Sequence, residues 1–128
     1  MVSLSACSIL DSGDQINLVG TSWKLTSFDG NEPIDGRDIT ARFEEDQTNG
    51  STGCNSYFGS YKLKGNQITI GALGQTEMAC LDPEGVMEQE AAVMQMFSRS
   101  ESITRRNISL EIRTSQGEIL LFELRTSD

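Results

Sequence analysis

The chain has 128 residues, enough for one domain with a modest hydrophobic core. Nineteen acidic against ten basic residues leave a net charge of -9, which opposes contact with a phosphate backbone and excludes nucleic acid as an expected partner. Histidine is absent, which removes serine–histidine and cysteine–histidine catalysis and the common zinc sets, and no apolar run approaches the roughly 20 residues of a membrane-spanning helix.

Leu4-Ser5-Ala6-Cys7 is similar to a bacterial lipobox, in which the cysteine is lipid-modified and becomes the mature N-terminus. Only six residues precede Cys7, too few for a basic and an apolar signal region, so the sequence reads as beginning inside a signal peptide. Residues 8–17 are rich in Ser, Asp, Gly and Asn and show no sustained period, as a flexible tether would. The expected division is therefore a leader and tether over 1–18 and a folded domain over 19–128, with the membrane reached only through lipid at Cys7.

From Thr21 onward, short alternating segments recur between turn signals, which predicts an antiparallel sheet with one buried face. Trp23 and Leu25 begin the first strand. Ile39, Ala41 and Phe43 alternate with Thr40, Arg42 and Glu44 in the second. Glu44-Glu45-Asp46 lacks the spaced ligands of a calcium loop and reads as a solvated turn. Asn49-Gly50 predicts a tight reversal, because both residues tolerate positive φ. Tyr57, Gly59, Tyr61 and Leu63 then share one side of a strand, leaving Phe58 on the other, and Lys64-Gly65-Asn66 turns the chain into Ile68 and Ile70.

Asp82-Pro83-Glu84-Gly85 predicts the opening of a helix that runs to about Ser98, with Asp82 as N-cap and Pro83 in the first turn. Val86, Val93, Met94 and Phe97, with Met87 at the margin, form its core-facing stripe. Glu90 falls near the centre of that stripe, where a carboxylate needs hydrogen bonds or a partner. It either accepts hydrogen bonds from an adjoining turn, such as residues 53–55, or lines a pocket between helix and sheet. Residues 102–106 read as a further strand. Ile108, Leu110 and Ile112, a turn at Ser115-Gln116-Gly117, and Leu120, Phe122 and Leu124 predict a closing hairpin.

Besides Cys7 the chain holds Cys54 and Cys80. In an exported protein such a pair reads as a disulfide, and in a cytosolic one as two buried thiols. Two thiolates without histidine do not complete a metal site.

Trp23-Lys24-Leu25, Gly53-Cys54-Asn55, Gly59-Ser60-Tyr61, Thr76 with Met78-Ala79-Cys80, Met87-Glu88-Gln89-Glu90 and Leu121-Phe122 together resemble the META domain, or HslJ-like, family. The resemblance runs from about Leu18 to Leu124. It implies an α+β fold: a strongly curved, open-barrel-like antiparallel sheet packed against a single helix. It also implies a bacterial envelope protein, often a lipoprotein, linked to heat stress, to tolerance of the antibiotic novobiocin, and in related proteins to motility or secretion.

The resulting expectation is a non-enzymatic, monomeric lipoprotein domain on the periplasmic side of the outer membrane. It would use no cofactor or metal, and would serve stress tolerance or assembly by binding an envelope protein or a hydrophobic ligand. Asn55, Phe58 and Glu90 are its candidate contact residues. The alternative is a small inhibitor of an extracytoplasmic enzyme.

Overall fold

The alternating apolar residues become the lining of a barrel. A computed structural model describes residues 16–126, so Cys7 and the leader lie outside the described residues. Within the described residues nine strands form one antiparallel sheet: β1 (Thr21–Phe28), β2 (Thr40–Phe43), β3 (Gln47–Ser51), β4 (Ser56–Lys64), β5 (Gln67–Ile70), β6 (Gly74–Gln75), β7 (Ser100–Arg106), β8 (Ser109–Thr114) and β9 (Ile119–Leu124). Among the described residues one helix, α1 (Val86–Ser98), joins β6 to β7. The expected α+β architecture is present, and its sheet does more than curve. Pairing runs β3-β2-β1-β9-β8-β7-β5-β4, and β3 also pairs with β4, so eight strands close on themselves. The weakest joint is β5 to β7, where Gln67 opposite Ser102 is the paired position. Strand β6 extends the edge of β4 beyond β5, opposite Tyr57 and Phe58.

Closure puts every inward residue in one core. Trp23, Leu25, Ile39, Ala41, Phe43, Tyr57, Tyr61, Ile68, Ile70, Ile103, Leu110, Ile112, Leu120 and Phe122 are buried there, as the period-2 pattern requires. Phe43 meets Tyr61 edge to face at 5.1 Å between ring centroids, and Tyr57 meets Phe97 of the helix at 5.6 Å. Both tyrosine hydroxyls are consumed internally: Tyr57 donates to the Thr40 carbonyl at 2.7 Å and Tyr61 to the Glu44 carbonyl at 2.6 Å. Burial, first of all, holds both phenols above their ordinary pKa.

Three local expectations are corrected. Asn49-Gly50 is not a reversal: both residues lie inside β3, and the chain reverses before it at residues 44–46, where Asp46 takes φ 68°. Glycine is needed at position 50 for closeness, since a Cβ there would stand 2.1 Å from the Thr40 carbonyl oxygen. The helix begins at Val86, and its N-cap is Gly85 at φ 92°, with no side-chain cap bond, so Asp82 lies before it in a turn. A left-handed residue cannot continue a helix backwards, which is why residues 82–85 stay outside. Finally, Ile108 is 60% exposed, because Asn107 at φ 56° makes residues 107–108 the β7–β8 turn.

The helix stripe is also shifted. Val86, Gln89, Glu90, Val93, Met96 and Phe97 are its buried residues, so Met96 replaces Met94, which is half-buried, and Gln89 joins the inner face. Loops 29–39, 52–55, 71–73 and 115–118 emerge at one end of the barrel, and α1 lies against that end through Gln89 and Glu90. Gln89 Oε1 accepts the Ile34 N–H at 2.9 Å, the Ser115 N–H donates to the Arg99 carbonyl at 2.9 Å, and Arg99 pairs with Glu118 at 2.9 Å. The helix therefore stoppers that end. At the other end Leu18, 1% exposed, enters the core, and the Arg105 guanidinium lies over the Trp23 ring at 5.1 Å.

A buried amide and carboxylate under a braced loop: the candidate functional site

The residues singled out by the sequence meet where α1, the turn after β3 and the segment after β6 come together. Thr52, at the end of β3, bridges Ile39 across the sheet, and its hydroxyl lies 2.9 Å from the Asn55 carbonyl and accepts the Asn55 N–H at 2.9 Å. This local turn, of the kind serine and threonine favour, aims Asn55 inward. Asn55 is 2% and Glu90 4% exposed.

Four donors converge on the Glu90 carboxylate. Thr52 Oγ1 donates to Oε1 at 2.5 Å, the Asn55 backbone N–H to Oε1 at 3.2 Å, Asn55 Nδ2 lies 2.9 and 3.1 Å from the two oxygens, and Gln75 Nε2 donates to Oε2 at 3.2 Å. Burial alone pushes this carboxyl up; the Thr52, Asn55 and Gln75 hydrogen bonds outweigh it and hold the pKa below the ordinary glutamate value. Glu90 is therefore an ionised acceptor with no spare donor, which is poor equipment for a general acid.

Asn55 turns its other edge outward along the chain. Its Oδ1 accepts from Thr76 Oγ1 at 2.9 Å and from the Met78 N–H at 2.6 Å, and its Nδ2 also reaches the Met78 carbonyl at 3.1 Å. One amide thus clamps the helix to segment 76–78. A disulfide joins Cys54 to Cys80, and Arg37 adds a third brace. Its Nη1 donates to the Gly53 carbonyl at 3.1 Å and its Nη2 to the Asp82 carbonyl at 2.6 Å. Segment 76–85 has no regular secondary structure, yet it is fastened along its length.

That fastening presents apolar side chains to solvent. Met78 is 58% and Leu81 88% exposed. Phe58 lies nearby on β4, 58% exposed, with its ring against Gly74 of β6, where a Cβ would come within 2.6 Å of it. The structure therefore separates the three contact candidates: Asn55 and Glu90 are buried together, and Phe58 stands outside. Thr52, Gln75, Gln89 and Arg37 complete the arrangement and were not anticipated. Thr52 carried a readable signal, since a threonine three residues before an asparagine at a Gly-containing turn favours this local bonding.

A cleft of about 540 Å³ lies at the end opposite the helix, lined by Ile16, Leu18, Val19, Asp46, Tyr61 and Leu63 among others. The helix–barrel junction is instead filled by Tyr57, Val93, Met96 and Phe97.

Comparison with known proteins agrees with this architecture. The META domain family matches over residues 16–127. A protein from Burkholderia xenovorans, solved by NMR, is 27% identical at a TM-score of 0.69, with 98% of this chain and 100% of that one covered. A second NMR structure is 24% identical at TM-score 0.67, covering 84% and 91% of the two chains. A DUF4847 family protein from Bacteroides vulgatus shares the fold at TM-score 0.63 and 10% identity, covering 87% and 96%. No curated protein matches the chain. With its family match spanning the barrel, the helix and the Cys54–Asn55–Glu90 clamp, the chain belongs to the META domain family.

Proposed function

We propose that this domain is a non-enzymatic binding module of the bacterial cell envelope, tethered by lipid at Cys7, that engages a protein partner through segment 76–85 and the neighbouring face of β4. The observation that carries the reading is the pairing of large exposed apolar side chains, Phe58, Met78 and Leu81, with a backbone braced by the disulfide, Asn55 and Arg37. A rigid loop loses little conformational freedom on binding, so its apolar contacts count more fully toward affinity. Apolar side chains grouped on one braced surface can supply the apolar contacts of such an interface.

The non-enzymatic reading is supported by the internal hydrogen bonding of Asn55 and Glu90, whose side-chain oxygens all accept from neighbouring donors. Envelope placement is supported by the Leu4-Ser5-Ala6-Cys7 sequence and by the disulfide, which persists in oxidising compartments. A role in stress tolerance or assembly follows the family resemblance. A filled helix–barrel junction favours a protein over a hydrophobic ligand. The same braced segment suits an inhibitor, in which case the partner is an extracytoplasmic enzyme and loses activity when bound.

Crosslinking and co-purification from native membranes test this. The wild-type domain should recover a partner that the Met78→Asp/Leu81→Asp variant, folded by circular dichroism, fails to recover. Equal recovery by both would remove the segment from the interface.

A further inference from the structure

The two sulfurs of the Cys54–Cys80 bridge sit in opposite electrostatic surroundings. Arg37 Nη1 lies 3.8 Å from Cys80 Sγ, whereas Cys54 Sγ faces the Met78 carbonyl oxygen at 3.5 Å. A guanidinium stabilises a thiolate beside it, and a carbonyl oxygen instead accepts a hydrogen bond from a neutral thiol. Neither cysteine is fully buried, and the segment carrying Cys80 is irregular chain with exposed Met78 and Leu81 on either side. Thiol–disulfide exchange runs fastest when the departing sulfur leaves as a stabilised thiolate.

We propose that this bridge is an exchange site for a dithiol protein, attacked at Cys54 and releasing Cys80. The incoming thiolate forms a bond to Cys54 Sγ while the Cys54–Cys80 bond breaks, its electron pair going to Cys80 Sγ beside Arg37. The partner's second thiolate then attacks the partner sulfur of the mixed disulfide and expels Cys54 as a thiolate, which takes up a proton. Two electrons and, through solvent, the two thiol protons pass from the dithiol to the bridge: the partner ends as a disulfide, and Cys54 and Cys80 as a dithiol whose Cys80 sulfur sheds its proton the more readily beside Arg37. Segment 76–85 keeps its Asn55 bonds to Thr76 and Met78 and its Arg37 bond to Asp82, so the barrel need not unfold. Exposed Met78 and Leu81 give such a partner apolar contacts next to the reacting bond. The proposal rests on the surroundings of the sulfurs and stands or falls apart from the non-covalent reading above.

The test uses reduced glutathione as the attacking thiol on the folded domain at neutral pH, with an acid quench and mass mapping of the adducts. The adduct should sit on Cys54 with Cys80 free, in excess of the reverse by about twofold or more, the least that one charge at this distance supplies when only part of the leaving thiolate's stabilisation reaches the exchange rate. Arg37→Gln should bring the ratio close to one while Arg37→Lys keeps most of the bias, and circular dichroism should stay native throughout. Predominant adduct on Cys80, equal partition in the wild-type chain, a bias unchanged in Arg37→Gln, or exchange seen only once denaturant unfolds the barrel would each overturn the proposal.

Discussion

Asn55 Nδ2 stands 2.9 Å from one Glu90 oxygen and 3.1 Å from the other, while Asn55 Oδ1 takes the Met78 N–H at 2.6 Å. A single side chain therefore couples the stopper helix to the loop that carries the exposed apolar groups. Both side chains are thus occupied in holding the molecule together.

Replacing Glu90 by Gln should destabilise the domain by about 2–3 kcal/mol, because an amide NH₂ would face donors that now converge on a carboxylate. Urea unfolding followed by tryptophan fluorescence reads this through buried Trp23. A shift under about 0.5 kcal/mol would mean that the convergence contributes little.

The same carboxyl sets a pH dependence. Its folded pKa lies below the ordinary value of 4.5, so the stabilisation it contributes is complete above that value and is lost as pH falls through the folded pKa. Glu118 behaves alike, lowered chiefly by its bond from Arg99. Midpoints of urea unfolding should therefore fall below about pH 4.5 in the wild type, and the slope should be shallower in Glu90→Gln and shallower again with Glu118→Gln.

Gly50→Ala should cost about 2–4 kcal/mol or prevent folding, since its Cβ would meet the Thr40 carbonyl carbon at 2.7 Å as well as the oxygen, and backbone on backbone cannot yield as a side chain can. Thermal unfolding of Gly50→Ala beside Gly65→Ala separates crowding from conformation, because Gly65 has open space but a φ of 60°. The first should be the more damaging.

Reducing the Cys54–Cys80 bridge should lower stability by about 3.5 kcal/mol, the loop-closure value for a sequence separation of 26. The far-ultraviolet spectrum should keep its β signature, because the ring of eight strands closes without help from this bond. Loss of that signature on reduction would make the bridge a condition of folding.

Much of the barrel was legible because period 2 and burial agree: Ile39, Ala41, Phe43, Tyr57, Tyr61, Ile68, Leu110, Ile112, Leu120 and Phe122 all point where alternation puts them. Ring closure was not, since pairing of β3 with β4 and of β5 with β7 is a matter of curvature that no local pattern encodes. Gly50 misled because glycine serves both turns and close approach, and only the neighbouring Thr40 carbonyl tells them apart. Asp82-Pro83 looked like a helix start until Gly85, two residues on, took a left-handed conformation. Glu90 stood out as a carboxylate on an apolar stripe, but its donors lie up to 38 positions away, on Thr52, and none shares its helix. Arg37 gave no periodic signal at all; its role depends on three groups brought to it by the fold.

Asn55 and Glu90 act as one structural clamp. A double-mutant cycle of Asn55→Ala and Glu90→Gln, followed by urea unfolding at pH 7, isolates the coupling between the two side chains. We predict that the two losses are strongly non-additive, with a coupling of about 1–3 kcal/mol and no change in the barrel's spectrum. Additive losses within about 0.3 kcal/mol would contradict the clamp.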